Sequence, residues 1–177
     1  MILVAVGTYI HGFDELVATA DVVARELALP GFAQIGHSRV IPRWLAWERF
    51  LSPAAMAARL AAASLVLCHG GIGLLGEAMR ASKPIITLPR RGRPTARQPA
   101  GDQVAVVRRL AERHAIGVCE RPDELAGLVR ERVARGLGPQ RYDLASDVPE
   151  LVAAFLARTS ASQAATALEP KRSARSW

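Results

Sequence analysis

The chain has 177 residues, half of them apolar, and carries 23 Lys and Arg against 16 Asp and Glu, a formal charge of +7. That is length enough for one domain with a full core, and the apolar content excludes a disordered chain. No apolar run approaches the ~18 residues of a spanning helix, and two separate cysteines with no Cys/His cluster leave no disulfide framework or metal-ligand spacing, so a reducing cytosol is expected.

In chain order, Met1-Ile2-Leu3-Val4-Ala5-Val6-Gly7 reads as a first strand over 2–6, too short and uncharged for a signal peptide. Gly7-Thr8 opens a loop that holds His11 and Gly12. Asp14 is placed to cap a helix over 15–29, with Leu16, Ala20, Val23 and Leu27 on one face. Pro30-Gly31 breaks it, and 32–36 and 47–51 read as the second and third strands. Ser52-Pro53 starts a helix that runs to Ala62, by N-cap and N1-proline logic. Residues 65–68 form the fourth strand. A Gly-rich turn, a helix over 74–81 and a fifth strand over 85–88 follow. A long Arg/Pro loop spans 89–101. Beyond it the pattern gives a helix over 102–114, a sixth strand over 116–119, and helices over 123–135 and 147–158. From Thr159 the composition turns to Ser, Ala, Lys and Arg. The expected organisation is therefore one domain over 1–158 and a flexible basic tail over 159–177.

Strands that alternate with helices predict an α/β fold, a Rossmann-like parallel sheet with helices on both faces. Ligands of such sheets sit at the carboxyl ends of the strands. The loops at Gly7-Thr8, Gly36-His37-Ser38, His69 and Pro89 all fall at those ends.

The most informative stretch is Cys68-His69-Gly70-Gly71-Ile72-Gly73-Leu74-Leu75-Gly76-Glu77. Glycines there leave no side chain between backbone and ligand and permit positive φ. The first N–H groups of a helix are unpaired and carry partial positive charge. A strand, a Gly-rich turn and a helix start thus make a phosphate seat. Glu77, one turn on, is placed to accept hydrogen bonds from ribose hydroxyls and is a poor direct phosphate ligand. The stretch 90–113 concentrates positive charge in Arg90, Arg91, Arg93, Arg97, Arg108, Arg109 and Arg113, which suits phosphate-bearing partners, an anionic membrane face, or solubility alone. Asp102 is also a plain N-cap for the helix after it, and His11 and His37 read as polar loop residues.

Taken in order, His69-Gly70-Gly71-x-Gly73, Glu77, Lys83-Pro84, Pro89 and Asp102-Gln103 resemble the nucleotide-sugar signature of GT-B glycosyltransferases. The closer resemblance is to the family 28 C-terminal domain, in particular the short PssE-type subunits of bacterial exopolysaccharide synthesis. Val6-Gly7-Thr8, Phe13-Asp14-Glu15-Leu16 and Gln34-Ile35-Gly36-His37-Ser38 also look similar to those subunits, and the likeness covers roughly residues 1–125. Two positions depart from it: Leu74 stands where related signatures often carry Ser or Thr, and Asp102 where PssE-type chains usually carry His.

The resemblance implies a role for each matching residue. His69 and the backbone of Gly70, Gly71 and Gly73 would hold the donor diphosphate, with Thr8 adding a hydroxyl or N–H. Glu77 would bind the ribose, the backbone of Phe50 and Leu51 would read the uracil edge, and Asp102 and Gln103 would contact the sugar. It implies the donor-binding half of a split glycosyltransferase for polysaccharide or glycolipid synthesis, transferring a hexosyl or N-acetylhexosaminyl group. UDP-sugar would be the substrate, with no further cofactor and no metal, and no Asp-x-Asp motif is present. The other half, with the acceptor site and usually the catalytic base, would come from a PssD-like membrane-associated subunit acting on a lipid-linked saccharide. That would place the chain in the cytoplasm, peripheral at the inner face of the membrane. No catalytic base is assigned within this chain. Three rival readings remain: a non-catalytic sensor or scaffold that keeps the donor site, a dehydrogenase, and a nucleic-acid binder. The dehydrogenase is opposed by Gly7-Thr8-Tyr9 standing where G-x-G-x-x-G belongs. The nucleic-acid binder is opposed by the absence of a stacking-aromatic pattern, so no nucleic-acid partner is expected.

Overall fold

Four consecutive buried residues, Ile2–Ala5, form strand β1 at the centre of a six-stranded parallel sheet. The structure is a computed structural model and describes residues 1–92, 102–145 and 153. The chain divides into two units, Met1–Asp143 and Leu144–Trp177. All the elements below belong to the first; of the second, Leu144 is exposed. The closing helix expected over 147–158 and the basic tail lie outside the described residues, apart from Ala153, which is helical.

After β1 come α1 (Asp14–Glu26), β2 (Gly31–Gln34), β3 (Ala46–Glu48), α2 (Pro53–Ala62), β4 (Leu65–Cys68), α3 (Ile72–Arg80) and β5 (Ile85–Thr87). Then follow α4 (Val104–Arg113), β6 (Gly117–Val118), a 3₁₀ turn (Pro122–Glu124) and α5 (Leu125–Ala134). The strand order is β3-β2-β1-β4-β5-β6, every neighbouring pair parallel. This is the doubly wound order, in which the direction of winding reverses between β1 and β4. Register across that reversal pairs Ala5 with Cys68, so the residues after each, Val6-Gly7 and His69, leave the sheet side by side.

Alternation on the strands builds two cores. Val4, Ala33, Leu65 and Leu67 face Leu16, Val17, Ala20 and Val23 of α1 and Leu125 and Val129 of α5. Leu3, Phe32, Val66 and Cys68 face Leu60 of α2, Leu75, Ala78 and Met79 of α3, and Val107 of α4. Strands covered on both faces read as near-continuous apolar runs, which is why β1 and β4 stand out in the sequence. Both thiols are buried and free, and burial pushes Cys68 up to about 12 and Cys119 up to about 11.

The expected fold class is the observed one, and most element ends move by one to three residues. Ser52 caps α2 as expected, its hydroxyl accepting from the Ala55 N–H at 3.2 Å. Asp14 does not cap α1: the N-cap position is Phe13 and has no side-chain bond. The Asp14 carboxylate instead accepts the N–H of Arg39 at 2.7 Å and lies within 3.4 Å of that of Val40, holding the loop after β2. Strand β3 ends at Glu48 rather than 51, because the pairing stops where β2 ends at Gln34. Helix α3 starts at Ile72, two residues earlier than the Leu74 expected, which makes Gly71 its N-cap.

Candidate donor site at the β1/β4 reversal

The site grows out of the two strands that flank the reversal. At the exit of β1, Gly7 has a φ of +72°, a conformation that glycine tolerates and other residues resist. Gln34, 2% exposed at the end of β2, holds that exit: its carboxamide oxygen accepts from the Gly7 N–H at 2.9 Å. Its amide nitrogen donates to the carbonyls of Gly7 at 3.0 Å and Arg49 at 2.8 Å. Sequence reading placed Gln34 inside a resembling motif without giving it a task. Its signal is a buried polar residue at the carboxyl end of an apolar strand, since such a group must find partners.

At the exit of β4, the His69 ring packs between two glycines. A Cβ on Gly7 would sit 2.8 Å from His69 Cε1, and a Cβ on Gly71 would collide with His69 Nε2. Burial lowers the His69 pKa to about 4, the Arg90 guanidinium adds to the effect, and the Ala5 carbonyl opposes it. The imidazole is therefore neutral at physiological pH. Its Nδ1 is buried with no hydrogen-bond partner. An unpartnered buried nitrogen costs about 1–3 kcal/mol, and such exceptions cluster where function requires them.

The turn after His69 differs from the expectation in one physical respect. Gly70, Gly71 and Gly73 do not adopt positive φ; among the described residues the glycines that do are Gly7, Gly12, Gly36 and Gly136. Gly70 and Gly71 are needed for space instead. A side chain at 70 would run into Val107 and Gln103, and one at 71 into His69. A Cβ on Gly73 would meet nothing within 4 Å. The first turn of α3 is thus bare on that side, and no side chain caps it, leaving N–H groups for an anion. Glu77 lies one turn further, exposed.

Gln103 ties the turn to the loop after β5. Its carboxamide oxygen accepts from Gly70 N–H at 2.9 Å and Arg90 N–H at 3.1 Å, while its own N–H donates to the Arg90 carbonyl at 2.9 Å. The amide NH₂ of Gln103 makes no hydrogen bond among the described residues. Asp102 is exposed and accepts the Val104 N–H at 2.9 Å, but it is not the N-cap weighed for it: that position is Gln103, which has no side-chain cap bond. Thr8 is exposed just beyond Gly7. Phe50 and Leu51 lie past the end of β3, at the carboxyl end of the sheet but three strands from β4, with Phe50 edge-on to His37 at 4.9 Å. The structure therefore gathers Gly7, His69, Gly70, Gly71 and Gln103 at one point. Thr8, Gly73, Glu77 and Asp102 border it, and Leu51 stands on its flank.

A cleft of about 1260 Å³ opens at the same end of the sheet, beside the turn rather than on it. It runs between the loop after β1 (Tyr9 to Phe13), the segment Leu88 to Gly92 and the Glu120–Asp123 stretch. Arg90 lines it, its Nη2 3.4 Å from the Val6 carbonyl and 3.3 Å from that of Gly12. Of the basic loop expected over 89–101, residues 93–101 lie outside the described residues.

No protein-family model matches the sequence and no curated protein is similar to it. Solved structures do match. The calicheamicin glycosyltransferase CalG4 superposes with a TM-score of 0.56 at 22% identity, over 77% of this chain and 34% of that one. Glycosyltransferase VinC in complex with dTDP matches at 0.54 and 19%, over 77% and 34%. MurG of Acinetobacter baumannii matches at 0.52 and 20%, over 76% and 42%. The chain spans about a third to two fifths of the length of these enzymes. At this identity the likeness concerns the fold alone: a Rossmann-like parallel sheet with helices, similar to one part of each of these glycosyltransferases.

Proposed function

We propose that this chain binds the nucleotide-sugar donor, a UDP-sugar, as one component of a two-part glycosyltransferase in polysaccharide or glycolipid synthesis. The observation that carries the reading is the convergence at the β1/β4 reversal. A neutral His69 with an unpartnered nitrogen, the uncapped N-terminus of α3 and the bare flank at Gly73 meet where doubly wound sheets take their ligands. A diphosphate would rest on the N–H groups that open α3, its charge favoured by the helix dipole. With its proton on Nδ1, the nitrogen that lacks a protein partner, the His69 imidazole would donate to a phosphate oxygen. Glu77 would take the ribose hydroxyls, since a carboxylate is an acceptor suited to a diol. The Phe50-Leu51 backbone, free of the sheet ladder beyond Glu48, would read the base. The Gln103 NH₂ and the outer oxygen of Asp102 would meet the sugar, and Thr8 would close the phosphate site from the β1 side.

Transfer also needs an acceptor oxygen held about 3–3.5 Å from the anomeric carbon, and a base. No base is assigned here, and a membrane-associated partner subunit would bring both, together with a lipid-linked saccharide. Such a partner would hold the chain at the inner face of the membrane. Calorimetry with UDP, uridine and UDP-sugars tests the donor site. Sugar transfer with and without the partner separates an enzyme component from a sensor.

A further inference from the structure

Among the described residues Arg90 is a cation without a counter-ion. No carboxylate among the described residues lies within ion-pairing distance of it, and the sequence 93–101 contains no Asp or Glu. Of the acids on the cleft wall, Glu15 is exposed and makes no ion pair with Arg90, and the other three are engaged elsewhere. Asp14 accepts backbone N–H groups, Glu120 pairs with Arg108 at 2.6 Å, and Asp123 pairs with Arg121 at 3.2 Å. The guanidinium is half-buried and stands 4.5 Å from the Tyr9 ring centroid and 5.1 Å from that of Phe13. Its Nη2 points to two backbone carbonyls, its Nε is buried without a partner, and Nη1 makes no hydrogen bond among the described residues. Burial pulls its pKa down, so the site costs something to keep charged.

Its position relates it to the donor site. Nη2 reaches the Val6 carbonyl, one residue before the Gly7 against which His69 packs, and the Arg90 N–H shares the Gln103 oxygen with Gly70. Arg90 and the Gly turn are thus fixed to one another on both sides. The His69 turn offers an anion dipoles and a neutral ring, and no full positive charge.

We propose that Arg90 supplies that charge: it is the cation of the phosphate subsite, where Nη1 takes an oxygen of the ligand's diphosphate at the mouth of the cleft beside the His69 turn. The inference rests on reading the turn as a diphosphate seat and adds the residue that neutralises it. A half-buried arginine held by aromatic rings and carbonyls is pre-organised, and its planar fork suits phosphate. In the transfer itself the acceptor hydroxyl oxygen forms the new bond to the anomeric carbon and gives its proton to the base that the partner would bring, while the bond from that carbon to the β-phosphate oxygen breaks and the oxygen leaves with both electrons. A cation at this point would favour departure of the diphosphate.

The alternative is that Arg90 only staples the loop after β1 to the loop after β5. Calorimetry with inorganic pyrophosphate, UDP and uridine on wild type, Arg90→Met and Arg90→Lys separates the two. Loss of a charge-assisted pair predicts that Arg90→Met weakens UDP and pyrophosphate by about tenfold or more and leaves uridine within about twofold. Arg90→Lys should fall between. Equal weakening of UDP and uridine, or no weakening of pyrophosphate, overturns the proposal. If Arg90→Met does not fold, Arg90→Lys and the ¹⁵N-resolved arginine side-chain signals of the wild type decide. At saturating pyrophosphate the signal missing from Arg90→Lys must shift, and an unmoved signal overturns the proposal. Should uridine and UDP bind nowhere while pyrophosphate binds through Arg90, the nucleotide reading fails and the anion subsite stands. Absence of pyrophosphate binding removes the subsite.

Discussion

Gly7 and His69 interlock: a Cβ on the residue that closes β1 would lie 2.8 Å from Cε1 of the residue that follows β4. The two strands are register neighbours, Ala5 opposite Cys68, so their exits compete for one volume, and the imidazole fills it only because position 7 carries no side chain. The φ of +72° at Gly7 adds a second constraint of the same sign. Gly7→Ala should therefore destabilise the fold by about 1–3 kcal/mol and tilt the His69 ring. Urea denaturation reads the first effect and UDP calorimetry the second. A Gly7→Ala protein with wild-type midpoint and wild-type UDP affinity would show that the interlock has no consequence.

Gly71→Val probes the same ring from the other side. Gly71 sits at φ −72°, so backbone strain is not the issue; the new side chain would collide with His69 Nε2 and cover the start of α3. The fold should survive at a cost of about 1–3 kcal/mol for overpacking, while UDP binding is lost. Full UDP affinity in the folded variant would mean that phosphate does not rest on this turn. Gly73→Ala is the control: with nothing within 4 Å of the added methyl, any loss of UDP affinity without loss of stability reports the ligand itself.

The sheet was legible because its strands are covered on both faces. Ile2–Ala5 and Leu65–Cys68 are unbroken apolar runs whose bounds need no tertiary information. Element ends were less so, because they depend on contacts distant in sequence. Asp14 looks like a cap, yet the N–H groups of Arg39 and Val40 claim its carboxylate. β3 stops where its neighbour stops. In the site, the glycine run and His69 stand out in the sequence, but the reason for the glycines does not: only the structure shows that Gly70 makes room for Val107 and Gly71 for His69. Gln34 and Arg90 act through backbone partners far along the chain, at Gly7, Arg49, Val6 and Gly12, and no spacing rule reveals such pairs.

Glu77 offers the cleanest test of the ribose contact. It is exposed on α3, one turn past the Gly turn; its carbonyl accepts the Ala81 N–H, and its carboxylate makes no hydrogen bond or ion pair among the described residues. Removal should leave stability within about 0.5 kcal/mol, as for most exposed positions. Glu77→Ala should cost about 1.5–3 kcal/mol of UDP binding through lost charge-assisted hydrogen bonds. The 2′-deoxy form of UDP should lose part of its affinity for wild type and none for Glu77→Ala. Equal UDP affinity in the two proteins would remove Glu77 from the site.

His69 predicts a pH dependence with a defined sign. Its folded pKa, about 4, lies below the ordinary value of 6.5, because burial and the Arg90 charge disfavour the imidazolium. Between those values the unfolded chain binds a proton that the native state does not. Stability therefore falls as pH drops from about 6.5 towards 4 and levels off below. The size is on the order of 2–3 kcal/mol for a shift of this kind. Urea midpoints measured from pH 7.5 to 4 should show that fall in wild type and a smaller one in His69→Gln. Parallel curves for the two proteins would assign the acid sensitivity elsewhere.

Partner dependence is the broadest expectation. The described sheet corresponds to one half-domain, spanning 34% to 42% of the glycosyltransferases it superposes on, and its candidate site faces outward at the carboxyl ends of the strands. On the proposed reading, donor binding would need only this sheet and its loops. Transfer needs the acceptor oxygen held within about 3–3.5 Å of the anomeric carbon, which an open face does not provide. The purified chain should bind UDP-sugar and transfer it slowly or not at all to extracted lipid acceptors. Addition of the partner should raise the rate by orders of magnitude, since positioning and water exclusion both contribute. The partner should dock on the edge that carries Gly7 and His69, because the donor must lie between the two halves. Arg39, Arg91 and Arg121 border the cleft on that edge, so association with an acidic partner surface should slow as salt rises. Robust transfer by the chain alone, at the turnover of complete enzymes, would refute the split arrangement and require a base among these residues, with His11 and His37 on the cleft wall the first to replace.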